Sequence, residues 1–207
     1  MPAITAGTIA PGVLNPANTA NGQVCYGNNT TLNTHQQGCF WEPLGSNITT
    51  GAANPSQSTD GGNTNSQNGL FYNWCAAMNG QAAACQTGAA TQPNQSINDG
   101  TNIYNICPKG WRLPTGEATT GEFTLLNNLI NGGLTNTDTG LLAVSSFMRG
   151  GSFGNGSFSV VGTWGYYWSS TVNTAAAARN FGIGAATVLP ASSNNKGLGL
   201  AIRCVAP

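Results

Sequence analysis

Six cysteines, at 25, 39, 75, 85, 107 and 204, are the residues of this chain best suited to chemistry, and their even number points to disulfides in an oxidising compartment. No CxxC pair occurs and His35 is the sole histidine, so the donors of a zinc site are missing. Spacing favours two local bridges, Cys25–Cys39 and Cys75–Cys85, and a long one, Cys107–Cys204, although other pairings and free buried thiols stay open. The long bridge is expected to contribute about 4–5 kcal/mol through the loop entropy it removes from the unfolded chain.

The carboxylates give no acid/base pair. Glu42, Asp60, Asp99, Glu117, Glu122 and Asp138 are spread along the chain. Retaining or inverting hydrolysis and general acid–base work need two such groups converging on one bond, and no spacing here implies that. Nucleophilic catalysis needs a base beside the nucleophile. His35 lies in a polar stretch and reads as a solvated surface residue. Neither an enzyme nor a bound cofactor is expected.

Charge excludes further classes. Lys+Arg 6 and Asp+Glu 6 cancel in 207 residues, and 6% charged is far below the roughly 25% of ordinary domains. Six scattered cations cannot track a phosphate backbone, so no nucleic-acid partner is expected. No apolar run reaches the about 18 residues of a membrane span. The start, Met1 to Gly7, lacks a basic region and a long apolar stretch, so no signal peptide is visible. With disulfides expected, the reading is an extracellular or cell-surface protein. Asn28, Asn29, Asn47, Asn94 and Asn155 head N-x-S/T sequons that matter only in a glycosylating host.

The elements that must position these groups are short. Residues 1–22 are rich in Pro, Ala and Asn and read as an extended lead-in or linker, hinting at tethering to a surface or larger assembly. Residues 23–207 read as a single domain. The polar stretches 51–68 and 81–102 read as loops. Leu70, Trp74, Ala77 and Met78 recur at helical spacing, which predicts a helix within 69–80 ending at Gly80. Trp111 and Leu113 alternate with Arg112 as in a half-buried strand. Thr119 and Glu122 form a capping-box pattern ahead of Phe123, Leu125, Leu126, Leu129 and Ile130, predicting a helix that closes at Gly132–Gly133. From Leu141 onward, strands and glycine turns are expected. The fold class is α+β, with two helices and short, mostly antiparallel strands.

Five stretches in order, GLFYNW (69–74), CPKGWRLPT (107–115), RGGSF (149–153), GYYWSST (165–171) and IRCV (202–205), resemble the Fibrobacter succinogenes major paralogous domain, which is related to the formylglycine-generating-enzyme branch of the C-type lectin fold. The resemblance covers roughly residues 23–205. It implies a C-type-lectin-like fold whose last sheet displays ligand-binding residues. RGGSF also resembles a stretch of the formylglycine-generating enzymes, in which a reactive copper-binding cysteine pair follows. Here no cysteine lies between Ser152 and Cys204, so the soft thiolate ligands of that chemistry are missing. Calcium-dependent sugar binding needs clustered carboxylates, and residues 154–204 contain no Asp or Glu.

Domains of this fold family are also targets of diversity-generating retroelements, which rewrite adenines in a C-terminal segment. Codons rewritten from AAC cannot specify Lys, Gln, Glu, Met or Trp. Residues 172–195 contain none of these, where composition alone would place about two or three. Trp168, Phe181, Val188 and Ile202 read as core anchors, and Arg149 and Arg203 as buried structural arginines paired to carbonyls. The candidate ligand-binding positions are Tyr166, Tyr167, Asn173, Thr174, Ala175, Arg179, Asn180, Gly182, Gly184, Thr187, Ser192, Asn194 and Asn195. Aromatic anchors beside small adaptable polar groups resemble an antibody-like paratope. The expected function is a non-enzymatic receptor or adhesin module binding a protein or glycan surface. The alternative is a structural envelope or filament domain; a formylglycine-type oxidase ranks last.

Overall fold

The computed structural model describes residues 71–79, 95–145, 147–154 and 157–207, with backbone alone for 23–26, 38–41, 144–145 and 157–158. Strands β1 (Gln23–Tyr26) and β2 (Gly38–Trp41) pair antiparallel, and β2 pairs with the two-residue β3 (Phe71–Tyr72). The β1–β2 register sets Cys25 directly opposite Cys39. Asn73 caps the single turn of α1 (Trp74–Ala77), its side chain accepting from the Ala76 N–H at 2.9 Å. The predicted helix over 69–80 is thereby corrected. Its first aromatic residues are strand, because Tyr72 pairs with Leu200 through two backbone hydrogen bonds of 2.9 and 3.0 Å.

Helix α2 (Glu122–Asn131) follows the prediction in extent and ends on Gly132 in the left-handed region (φ 63°), where glycine carries no Cβ penalty. Its cap and buried face differ from the sequence pattern. Gly121, not Thr119, is the N-cap. Thr115 and Glu122 make the reciprocal pair instead: the Glu122 N–H donates to Thr115 Oγ1 (3.0 Å) and the Thr115 N–H to Glu122 Oε2 (2.9 Å). The Glu122 carboxylate also takes both Arg112 guanidinium nitrogens. Burial pulls its pKa up, but Arg112 and Thr115 outweigh that and hold it below the ordinary value. The buried stripe is Phe123, Asn127 and Asn131, while Leu125 and Leu129 face solvent. Leu129 is 83% exposed. Leu129→Ala is therefore expected to shift stability by less than about 0.5 kcal/mol. Phe123→Ala, which removes a ring stacked on Phe181 at 4.9 Å, is expected to cost about 3–5 kcal/mol by denaturant titration.

A further helix, α3 (Thr139–Ser145), occupies a stretch read as strands and turns, so the described residues alone hold three helices where two were expected. Leu141 is fully buried from it, and Asp138 just ahead of it pairs with Arg149 through Nε (2.9 Å) and Nη2 (2.8 Å). Arg149 is half-buried rather than buried, and its partner is a carboxylate rather than carbonyls. Strands β4 (Ser152–Gly154) and β5 (Ser157–Ser159) form a small hairpin.

The principal sheet is antiparallel, in the order β6 (Trp164–Val172), β7 (Ala177–Gly184), β8 (Thr187–Asn195). Successive side chains of a strand point to opposite faces, and each face carries a core. Trp168 and Ala178 pack with Trp74, Ala77, Met78, Leu113 and Leu200; Tyr167, Phe181, Ile183 and Val188 pack with Phe123, Leu141 and Phe147. The chain end ties these layers together. Ala201 bridges Tyr166 and Trp168, Gly199 pairs with Phe153, and Val205 pairs with Arg112. The architecture is α+β: the described residues form short strands, three helices and a Cys107–Cys204 disulfide. Cys75 is also disulfide-bonded. Its partner and Cys85 lie outside the described residues, as do His35, the lead-in and both predicted polar loops up to residue 94.

Candidate functional site

The motif WSST within β6 holds its neighbours in place. The Trp168 indole N–H donates to Tyr72 O and that of Trp74 to Ser169 O, each at 2.7 Å. Ser170 binds Pro114 O through both its N–H (2.9 Å) and its hydroxyl (3.2 Å). Thr171 Oγ1 donates to Glu117 and accepts from the Gly116 N–H. Gly116 admits no side chain, because a Cβ there would fall 2.5 Å from Ser169 Oγ and 2.9 Å from Arg179 Cβ. The small polar residues after Trp168 thus dock the 111–117 segment, and catalysis need not be invoked for them. Trp111 departs from the predicted alternation: it is exposed, while Leu113 is fully buried.

Of the thirteen candidate binding residues, Tyr166 is half-buried on β6 and the other twelve fall into four groups. Asn173, Thr174 and Ala175 lie in the turn between β6 and β7, closed by Asn173 and Thr174 N–H bonds to Ala177 O. Thr174 is exposed, and Asn173 and Ala175 half-buried. Thr187, Ser192, Asn194 and Asn195 line β8, an edge strand whose described residues are all half-buried or exposed except Val188. Arg179 is half-buried, with Nη1 donating to Ala191 O at 2.7 Å. Four others are buried: Tyr167, Asn180, Gly182 and Gly184. The Tyr167 hydroxyl both donates to Met148 O and accepts from Met148 N–H, each at 2.7 Å, so it is occupied inside the fold. Its pKa is raised by burial. Lys196, at the end of the stretch, is fully buried with its amine 4.7 Å above the Trp74 ring, and burial lowers its pKa. Arg203 lies over the Phe147 ring at 4.9 Å.

Strand register arranges one face of the sheet as three rows. Trp164 lies opposite Gly184 and Gly184 opposite Thr187; Tyr166 opposite Gly182 and Gly182 opposite Leu189; Trp168 opposite Asn180 and Asn180 opposite Ser192. The third row sits against the core. The first two carry half-buried Trp164 and Tyr166, with rings parallel to within 3° and centroids 5.6 Å apart, and Leu189, 40% exposed. The Trp164 indole lies close over Gly184, where a Cβ would come within 3.1–3.2 Å of three of its atoms and push the ring by a few tenths of an ångström. Trp164 and Leu189 were not among the predicted site residues. Their signal lay in the period-two run Trp164, Tyr166, Trp168 and the matching Gly182, Gly184, which become one surface only after pairing.

Among the described residues no three His, Cys, Asp or Glu side chains cluster as a metal site. Asp99 accepts from Thr101 N–H, Asn102 N–H and the Asn102 side chain. Its hydrogen bonds to Asn102, backbone first, then side chain, pull its pKa down to about 2. These bonds close the 99–102 loop. No helix of the described chain is long and apolar enough to cross a membrane. Comparison with protein-family models, with curated proteins and with solved structures finds no match.

Proposed function

We propose that this chain is a non-enzymatic ligand-binding module of C-type-lectin-like fold, a receptor or adhesin presented outside the cell, with a C-terminal surface open to retroelement diversification. The observation that carries the reading is the contrast within 164–204. Trp168, Phe181, Val188 and Leu200 are fully buried and Cys204 is bridged to Cys107, while the 173–176 turn and most of β8 contribute no buried side chain. Such a segment tolerates changes at its polar positions because little packing depends on them. The five stretches that carry the family resemblance also meet physically, around Trp74, Trp168 and the 199–205 segment.

Replacing Asn173, Asn194 and Asn195 together by alanine is expected to leave the melting temperature within a few degrees of the parent while abolishing capture of the bound surface. A large fall in melting temperature would make these residues structural and sink the display reading. The diversification part has its own check at the coding locus. A near-repeat of the 165–204 segment differing only at adenines, beside a reverse transcriptase, is expected there; its absence counts against retroelement targeting.

A further inference from the structure

Strand β8 has little of its own to fix its register. Past Val188 its side chains, Leu189 to Asn195, are all exposed or half-buried. A strand is held in frame by the face it buries, and one that buries neither face is prone to slip. The need is greatest where the residues are open to replacement, because such a segment cannot carry the frame in its own side chains. The register also shifts between Asn180 and Gly182, so the frame set by Val188 does not carry past that point. Beyond the shift the pairing is nevertheless regular: Asn180 stands opposite Ser192, Arg179 opposite Ser193, Ala178 opposite Asn194 and Ala177 opposite Asn195.

The next residue is Lys196, which is fully buried. Its N–H donates to Ala176 O (2.9 Å) in the β6–β7 turn, and its carbonyl accepts from the Trp74 N–H (3.0 Å) at the start of α1. Its amine stands 4.7 Å from the centre of the Trp74 ring. That ring is fixed in turn by its indole bond to Ser169 O on β6. An apolar side chain would fill such a place at a lower desolvation cost, and the best-attested use of a buried polar or charged group is to select one register. An ammonium gains most when centred on one aromatic face, whereas a flexible apolar chain such as methionine packs in several frames. We propose that Lys196 is the register pin of β8: it sets the frame in which residues 192–195 stand beside the 173–176 turn, whatever side chains they carry. Lys196 is thus a positioning residue, acting through the backbone it holds. This inference rests on the reading of that segment as open to diversification.

The test is a panel of full-length variants in which residues 192–194 carry other small or polar triplets, made with and without Lys196→Met. The substitution keeps the length of the side chain and removes its charge. Each variant is scored for a single cooperative thermal transition. In the otherwise unchanged chain, Lys196→Met should leave the melting temperature equal or higher. Across the panel, the share of cooperative variants should fall about tenfold with Lys196→Met. A control panel at the exposed Leu125, Asn128 and Leu129 of α2 should change little. That opposition is one a merely structural role would not produce. In panel members that still fold with Lys196→Met, nuclear Overhauser contacts from Arg179 to position 193 should give way to contacts with position 191 or 195. An undiminished share with Lys196→Met overturns the pin. So does an equal fall in both panels, or a Lys196→Met chain that does not fold. A panel that fails even with Lys196 in place sinks the diversification reading first, and the pin with it.

Discussion

Trp168→Ala is expected to be the most damaging single substitution in this chain. The indole is fully buried between Trp74, Ala178 and Leu200, and its N–H donates to Tyr72 O at 2.7 Å. Truncating such a ring typically costs about 3–5 kcal/mol through lost transfer energy and the cavity left behind. The lost indole hydrogen bond adds roughly 0.5–1.5 kcal/mol, and no more, because the Tyr72 carbonyl keeps its bond from the Leu200 N–H at 3.0 Å. Against a total stability of about 5–15 kcal/mol, the variant should be largely unfolded, or melt tens of degrees lower, by circular dichroism. Trp168→Phe keeps most of the packing and loses the hydrogen bond, so it should fall between. A Trp168→Ala variant with near-parent stability would mean that the two halves joined by this indole hold together without it.

Removal of the Cys107–Cys204 disulfide is the second large effect. The bridge spans 97 residues of sequence and ties the 107–113 segment to the chain end. Closing a loop of that length restricts the unfolded ensemble by an amount worth about 4–5 kcal/mol in the chain-entropy model. The paired variant Cys107→Ala/Cys204→Ala isolates this bridge, whereas a reducing agent would also attack the one at Cys75. Urea titration should show the midpoint falling and the slope rising, because the unfolded chain becomes more expanded. A loss below about 1 kcal/mol would mean that the backbone pairing of Arg112 with Val205 already fixes this closure.

These two predictions locate where the sequence was legible. Cys107 and Cys204, the anchors Trp168, Phe181 and Val188, and the helix ending at Gly132 were all visible in it, because burial of large apolar groups and glycine's access to positive φ are local preferences that tertiary context seldom reverses. The leucines of α2 foretold the helix but not its buried face. Periodicity identifies an amphipathic face but not which of two overlapping stripes the neighbours cover. Here Asn127 and Asn131 turn inward to bond one another and the Leu134 and Thr137 carbonyls, leaving Leu129 outside. Thr119 lost the capping role to Thr115 because the 111–117 segment returns across the helix start, a long-range event that spacing does not encode.

By itself the sequence determined the class of the protein: few charges, no paired acids, a disulfide-bridged α+β chain, and a small-residue segment bracketed by Trp168 and Cys204. Only the tertiary structure decided which side chains of that segment are available. Adjacent residues of a strand face opposite ways, so Tyr166 and Tyr167, alike in the sequence, part company: one lies half-buried beside Trp164 and the other is locked to Met148. Asn180, indistinguishable from Asn173 and Asn194 by type, is sealed inside without a partner. Register across three strands, not residue identity, sets that difference, since a polar group's cost and its use both depend on what stands opposite it.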